Sequence, residues 1–339
     1  MPILQAELVE TGEHRTAYLR SGPADGPLLI FVHGWPELGL IWRHQMEHFA
    51  RQGWRCVAPD MRGYGGSSVP AGPRAYALPE LVQDLLELHD ELGGEPAVWV
   101  GHDWGAIVVW SLAAHHHDRC RAVANIAVPY LAQGFGIPSF LPLIDRDLYP
   151  EQTLRYGQWD YFHYYSVAFD QVTADFEANV AGSISVFFRR GIPESVGQVA
   201  RTALISANGG WFGAAHRAPD VPRDEAVLSE GDFAALVRAF TTTGFRGANS
   251  WYLNDETNLA YAATAPDGGK LQMPVLFVHA RWDPTCLTLG TALAEPMRTD
   301  CGNLAEAVVD SGHYVSLENP QGLETALGSW LASRVSQVI

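Results

Sequence analysis

The sequence predicts an α/β protein, a mostly parallel, doubly wound sheet carrying one inserted helical cap. Three observations lead there. Short continuous apolar runs at residues 27–32, 97–100 and 274–278 suit strands buried on both faces of a parallel sheet. Segments of helical periodicity separate such runs, and strand alternates with helix. Residues 130–246 break this alternation: they lack buried-strand runs and crowd aromatics into helical stretches, as at Trp159 to Tyr165, Phe187-Phe188 and Trp211-Phe212. The expected division is a core of residues 1–129 and 247–339, with 130–246 as the cap.

Taken in order, residues 3–20 read as two short strands around a turn at Thr11-Gly12-Glu13. The strand at 27–32 ends in His33-Gly34-Trp35-Pro36, and a helical pattern follows through Trp42, Met46 and Phe49. The next strand, 55–59, ends in Asp60-Met61-Arg62-Gly63; residues 78–92 have helical periodicity. The strand at 97–100 leads into Gly101-His102-Asp103-Trp104-Gly105, after which an apolar helix opens. Residues 121–128 form another strand. Beyond the insertion, one run ends at Asp283, and the run at 304–309 leads to His313. Residues 322–335 close the chain as an amphipathic helix, with Leu323, Ala326, Leu327, Trp330 and Leu331 on one face.

Composition narrows the function. With 339 residues, 47% hydrophobic and 18% charged, the chain has the make-up of a soluble globular enzyme with ample core. Its net charge of −16 argues against nucleic acid or an anionic membrane as partner, because both select basic patches. Cys56, Cys120, Cys286 and Cys301 form no CxxC pair and read as free thiols of a cytoplasmic protein. Neither a secretory leader nor a bilayer-spanning run is expected.

Gly101 and Gly105 bracket Asp103 in a sharp strand-to-helix turn, a spacing that holds the middle residue exposed above the sheet as a nucleophile. That position is usually serine; here it is aspartate. With Asp283 and His313 at later strand ends, the chain order is nucleophile, acid, base, as in α/β-hydrolases. A carboxylate can displace at an sp3 carbon to form an alkyl ester, which water activated by a neutral histidine then hydrolyses. The expected oxyanion donors are the backbone N–H groups of Trp35 and Trp104.

These pieces together resemble the soluble-type epoxide hydrolases of the α/β-hydrolase fold. The matching residues are His33-Gly34-Trp35-Pro36-Glu37 with Trp42-Arg43-His44-Gln45, Asp60-x-Arg62-Gly63-x-Gly65, Gly101-His102-Asp103-Trp104-Gly105 and Asp310-x-Gly312-His313. The resemblance spans nearly the whole chain and implies hydrolysis of a lipophilic epoxide to a vicinal diol without metal or cofactor. It also implies two cap tyrosines, Tyr161 and Tyr252, that hold and protonate the epoxide oxygen. On the residues alone, Tyr164 and Tyr165 rival Tyr161, since an aromatic-rich helix is more often core than active site. The expected partners are a small-molecule epoxide and water, with a homodimer the one macromolecular association left open.

Plainer readings stand beside these. Asp283 ahead of Pro284 also reads as a helix N-cap. His102 and His33 read as structural, and His115-His116-His117 as a solvated helix end, because consecutive helical residues share no face for a metal. The rival enzyme is a haloalkane-type dehalogenase with the same aspartate; a halide needs N–H donors and no acid, so two cap tyrosines favour the epoxide. A non-catalytic binding protein on the same fold would have no use for Asp103, Asp283 and His313 together.

Overall fold

A computed structural model describes residues 4–12 and 14–335; Ile3 and Glu13 of the expected N-terminal hairpin lie outside the described residues. Eight strands form one sheet in the order β1-β2-β4-β3-β5-β6-β7-β8. They are β1 (Gln5–Thr11), β2 (His14–Ser21), β3 (Leu28–Val32), β4 (Arg55–Pro59), β5 (Ala97–His102), β6 (Cys120–Ile126), β7 (Val275–Ala280) and β8 (Leu304–Val309). The β1/β2 and β2/β4 pairs are antiparallel, and every pair from β4 to β8 is parallel.

Burial follows the sequence pattern. Every residue of β3, β5 and β7 is buried, whereas β1 and β8, at the edges, are half-covered and carry charged residues. Helices α1 (Arg43–Arg51) and α2 (Leu78–Glu91) connect the early strands. Helix α3 (Trp104–His115) follows β5 and is buried along nearly its whole length, which explains why its sequence is apolar all round. The chain runs outward from β3 to β4 and returns past β3 to β5, so the order reverses between two adjacent strands, β3 and β5. Their carboxyl ends open the crevice where such sheets bind ligands.

Among the described residues, every element between β6 and β7 is helical. The longer ones are α4 (Asp160–Glu177), α5 (Val180–Phe187) and α6 (Glu230–Thr243). Side-chain oxygens of Asn179 and Ser229 cap α5 and α6 by accepting from Gly182 N and Asp232 N. Helix α4 breaks at Ala168, whose φ of −135° and ψ of 31° are not helical. The final helix, α7 (Pro320–Trp330), is capped by Asn319 and widens into a π turn at Leu331–Val335. Leu323, Leu327, Trp330 and Leu331 are buried on one face of this final stretch.

Candidate active site

Asp103 sits at the turn between β5 and α3 with φ 52° and ψ −125°, in a region that L-residues rarely adopt. Holding a non-glycine residue there costs about 1–3 kcal/mol, which the packing around it must offset. The neighbouring glycines are present for space. A Cβ on Gly105 would lie 2.2 Å from Val32 O, one on Gly101 would meet Gly105 O at 2.6 Å, and one on Gly34 would meet Asp103 Cβ at 2.5 Å. The end of β3 and the turn after β5 are thereby pressed together, and Trp35 N–H donates to Asp103 Oδ1 at 2.8 Å. Trp104 is the first residue of α3, so its N–H is one of the donors that the helix itself leaves unsatisfied.

His313 lies in the loop after β8, with Nε2 3.4 Å from Asp103 Oδ2 and Nδ1 2.7 Å from Asp283 Oδ2. Asp283 is fully buried, and its Oδ1 accepts from Thr285 N (2.9 Å) and Cys286 N (3.2 Å). Asp283 caps no helix, because among the described residues none begins between it and Ala292; its Oδ1 holds the turn through Pro284 while Oδ2 faces His313. Burial pushes the pKa of both aspartates up. For Asp103 the hydrogen bond and charge of His313 bring it back below the usual carboxylate value, helped by Trp35 N–H; for Asp283, His313 and the two backbone donors do so. Burial works against a charged His313, but Asp283 and Asp103 outweigh it and hold its pKa well above the usual imidazole value. Both carboxylates thus favour the imidazolium form of His313.

Two carboxylates that the sequence reading did not single out brace this arrangement. Glu37 Oε2 accepts from Gly34 N at 2.6 Å, and its Oε1 lies 2.8 Å from His102 Nδ1. His102, turned away from the cavity as its place beside the turn suggests, donates through Nε2 to His313 O at 2.7 Å. Glu318 accepts from Gly312 N (2.8 Å) and Tyr314 N (3.0 Å), gripping His313 from both sides, and from Gly191 N (2.9 Å) of the helical segment. Glu37 belonged to a quoted motif, and Glu318 lies five residues after His313; neither spacing by itself announces a carboxylate that accepts backbone N–H groups.

Above the triad lies a cavity of about 380 Å³, lined at its deep end by Asp103, His313, Trp35, Tyr161 and Tyr252. Tyr161 is on the first turn of α4, and Tyr252 on the short helical turn Ser250–Leu253. Their ring centroids are 5.7 Å apart, and burial followed by nearby groups, Asp103 among them, raises both phenol pKa values well above 10, so both keep their protons. Tyr164 and Tyr165 do not line the cavity. Tyr165 is stacked flat against the far side of Tyr252, with centroids 4.4 Å apart. Trp104 is also absent from the lining; its ring packs edge-on against Trp251 and Tyr252.

Two other histidines near the motifs, His33 and His115, have structural partners. His33 Nε2 accepts from Met61 N at 2.9 Å. His115 is less solvated than expected, because its ring stacks on Tyr261 at 3.8 Å and its Nε2 contacts Tyr261 O. Among the described residues there is no cluster of three His, Cys, Asp or Glu side chains placed to hold a metal ion.

Comparison with known proteins agrees with this geometry. Residues 27–320 match the family model described as alpha/beta hydrolase fold. Epoxide hydrolase A of Mycobacterium tuberculosis is 34% identical over 96% of both chains. Bifunctional epoxide hydrolase 2 of Mus musculus is 30% identical over 91% of this chain, which spans about half (52%) of that longer protein. The crystal structure of epoxide hydrolase A from Mycobacterium thermoresistibile superposes with a TM-score of 0.79 at 29% identity, covering 98% of this chain and 99% of the other. With an aspartate at the strand-to-helix turn, a histidine and second aspartate behind it and this full-length similarity, the chain belongs to the epoxide hydrolases of the α/β-hydrolase fold.

Proposed function

We propose that this epoxide hydrolase works in two steps through a covalent ester on Asp103, with residues 130–246 acting as the cap over the site. Asp103 Oδ2 attacks an epoxide carbon while Oδ1 stays with Trp35 N–H. The carbon–oxygen bond breaks, and the alkoxide takes a proton from Tyr161 or Tyr252. A phenol can protonate an alkoxide, a far stronger base, and each hydrogen bond to the developing charge is worth about 1.5–3 kcal/mol. Water then adds to the ester carbon, giving a proton to neutral His313, and the tetrahedral oxyanion rests on the Trp35 and Trp104 N–H groups. Collapse releases the second alkoxide, which takes the His313 proton. The other water proton, left on the regenerated Asp103 carboxyl, returns to His313 and restores the resting imidazolium.

Alkylation also prepares the base. Two carboxylates keep the resting His313 protonated. Esterification of Asp103 removes one of them together with its 3.4 Å contact, which lowers the His313 pKa; the imidazolium proton passes to the tyrosine phenolate, re-forming the phenol and freeing Nε2 to accept from water. Asp283 then steadies the imidazolium that forms.

This reading is supported above all by one cavity lined by Asp103 together with Tyr161 and Tyr252, whose phenol pKa values burial raises. A halide would need N–H donors, and the Trp104 indole is packed away from the cavity. We also infer a cytoplasmic location, supported by four buried, unpaired cysteines. A side-by-side assay with an aryl epoxide, an aliphatic epoxide and a haloalkane tests the reaction. Turnover is expected for an epoxide and not for the haloalkane; halide release without diol formation would overturn it.

A further inference from the structure

We propose that the mouth of the cavity is an oxyanion subsite, and that the substrate is an epoxide bearing a carboxylate or phosphate on an apolar spacer. This rests on the epoxide-hydrolase reading above and adds a second point of recognition to it. The cavity changes character along its length. Beyond the catalytic groups the wall is apolar at Phe187, Leu204, Ile205 and Trp211, and it also includes Arg189, half-buried, and Arg190 and Arg201, both exposed to solvent. Three arginines on one cavity wall stand out in a chain of net charge −16.

The fold makes little use of these charges. Arg201 forms no hydrogen bond or ion pair through its guanidinium with any described residue. Among the described residues the Arg190 guanidinium has only a 3.9 Å contact with Asp224, which also accepts from Arg190 N at 3.2 Å, and its side chain is 64% exposed. Arg189 donates from one nitrogen to Pro222 O at 2.7 Å and keeps its other donors. Nor do they neutralise the catalytic carboxylates, whose charge is governed by His313 and backbone N–H groups. Arginine's planar set of donors matches carboxylate and phosphate oxygens.

The segment carrying Arg190 is tied to the catalytic histidine through the backbone. Gly191, next to Arg190, is held by Glu318, which also holds the backbone on both sides of His313. The two segments touch so closely that a Cβ on Gly191 would come within 2.3 Å of Gly312 Cα. The Arg189–Gly191 segment and the histidine loop therefore form one unit, so the backbone that carries Arg190 is fixed relative to the catalytic histidine. The attraction also raises the encounter rate of anionic substrates over neutral ones.

The test compares one epoxide skeleton carrying a terminal carboxylate, a phosphate monoester or a methyl ester. For the wild-type enzyme, at least one anion should exceed the ester in kcat/KM by about 5- to 10-fold, mainly through KM and less so at high salt. Which anion leads identifies the oxyanion. Arg201→Gln should bring the ratio to near parity, and Arg155→Gln, elsewhere on the helical segment, should leave it as it was. An ester as good as both anions, or a preference untouched by Arg201→Gln and by the Arg189→Gln/Arg190→Gln double variant, overturns the subsite. Failure to turn over any epoxide would instead count against the epoxide-hydrolase reading. Calorimetry of the matching diol acid, diol phosphate and diol ester then decides the subsite alone: tighter binding of an anion supports it, and equal binding overturns it.

Discussion

The floor and the roof of the cavity are built on different principles. The floor, at the ends of β3, β5, β7 and β8, presents Asp103, Asp283 and His313, each held by backbone donors or by another charge within 3.5 Å. The roof over Asp103, on α4 and the Ser250–Leu253 turn, presents two aromatic rings to the cavity, Tyr161 and Tyr252, each carrying a phenol. Buried charge needs a partner at every oxygen, so the floor must be rigid and tied to the sheet. Rings pack by area and shape, with many near-equivalent arrangements, so the roof is free to vary in form while keeping its two hydroxyls. On the proposed mechanism, attack belongs to the floor and the choice of leaving atom to the roof.

The largest effect should come from the floor. His313→Gln keeps the nucleophile and removes the base, so alkylation proceeds and hydrolysis stalls. Steady-state turnover should fall by about 10³-fold or more, and intact-mass spectrometry should show protein plus one substrate. Retained turnover without an adduct would remove His313 from its role. The roof should yield smaller losses: Tyr161→Phe and Tyr252→Phe each cost about 10- to 100-fold in kcat/KM, by the loss of one hydrogen bond to the alkoxide. Tyr165→Phe, whose hydroxyl does not line the cavity, should cost far less. Tyr165→Phe matching the other two would reverse the assignment. Smaller still, pH should separate the two steps. His313 is protonated at rest, so alkylation should vary little near neutrality, whereas hydrolysis should slow as pH falls through the His313 pKa of the ester. Rapid-quench detection of ester building up at low pH checks this; a hydrolysis rate independent of pH would contradict it.

The same contrast explains what could be read from sequence. β3, β5 and β7 are buried on both faces, and that environment writes itself as unbroken apolar runs. Asp103 was legible because close packing at Val32 and Gly105 demands glycines at fixed spacing around it. Tyr164 and Tyr165 lie three and four residues after Tyr161 on one helix, so each is a neighbour of Tyr161 on the helix surface, and spacing cannot rank them. Their ranking comes from Tyr252, more than 80 residues away, whose ring covers Tyr165 and stands beside Tyr161 in the cavity. Glu37 and Glu318 stayed hidden because a carboxylate that accepts backbone N–H groups leaves no periodic trace.

The central claim is that Asp103, not water, opens the epoxide. A single turnover in oxygen-18 water, with enzyme in excess, tests it most directly. The first diol should carry no label, and the peptide containing Asp103 should gain one labelled oxygen in its carboxylate. Label appearing in that first diol, with Asp103 unlabelled, would mean that water attacks the epoxide itself.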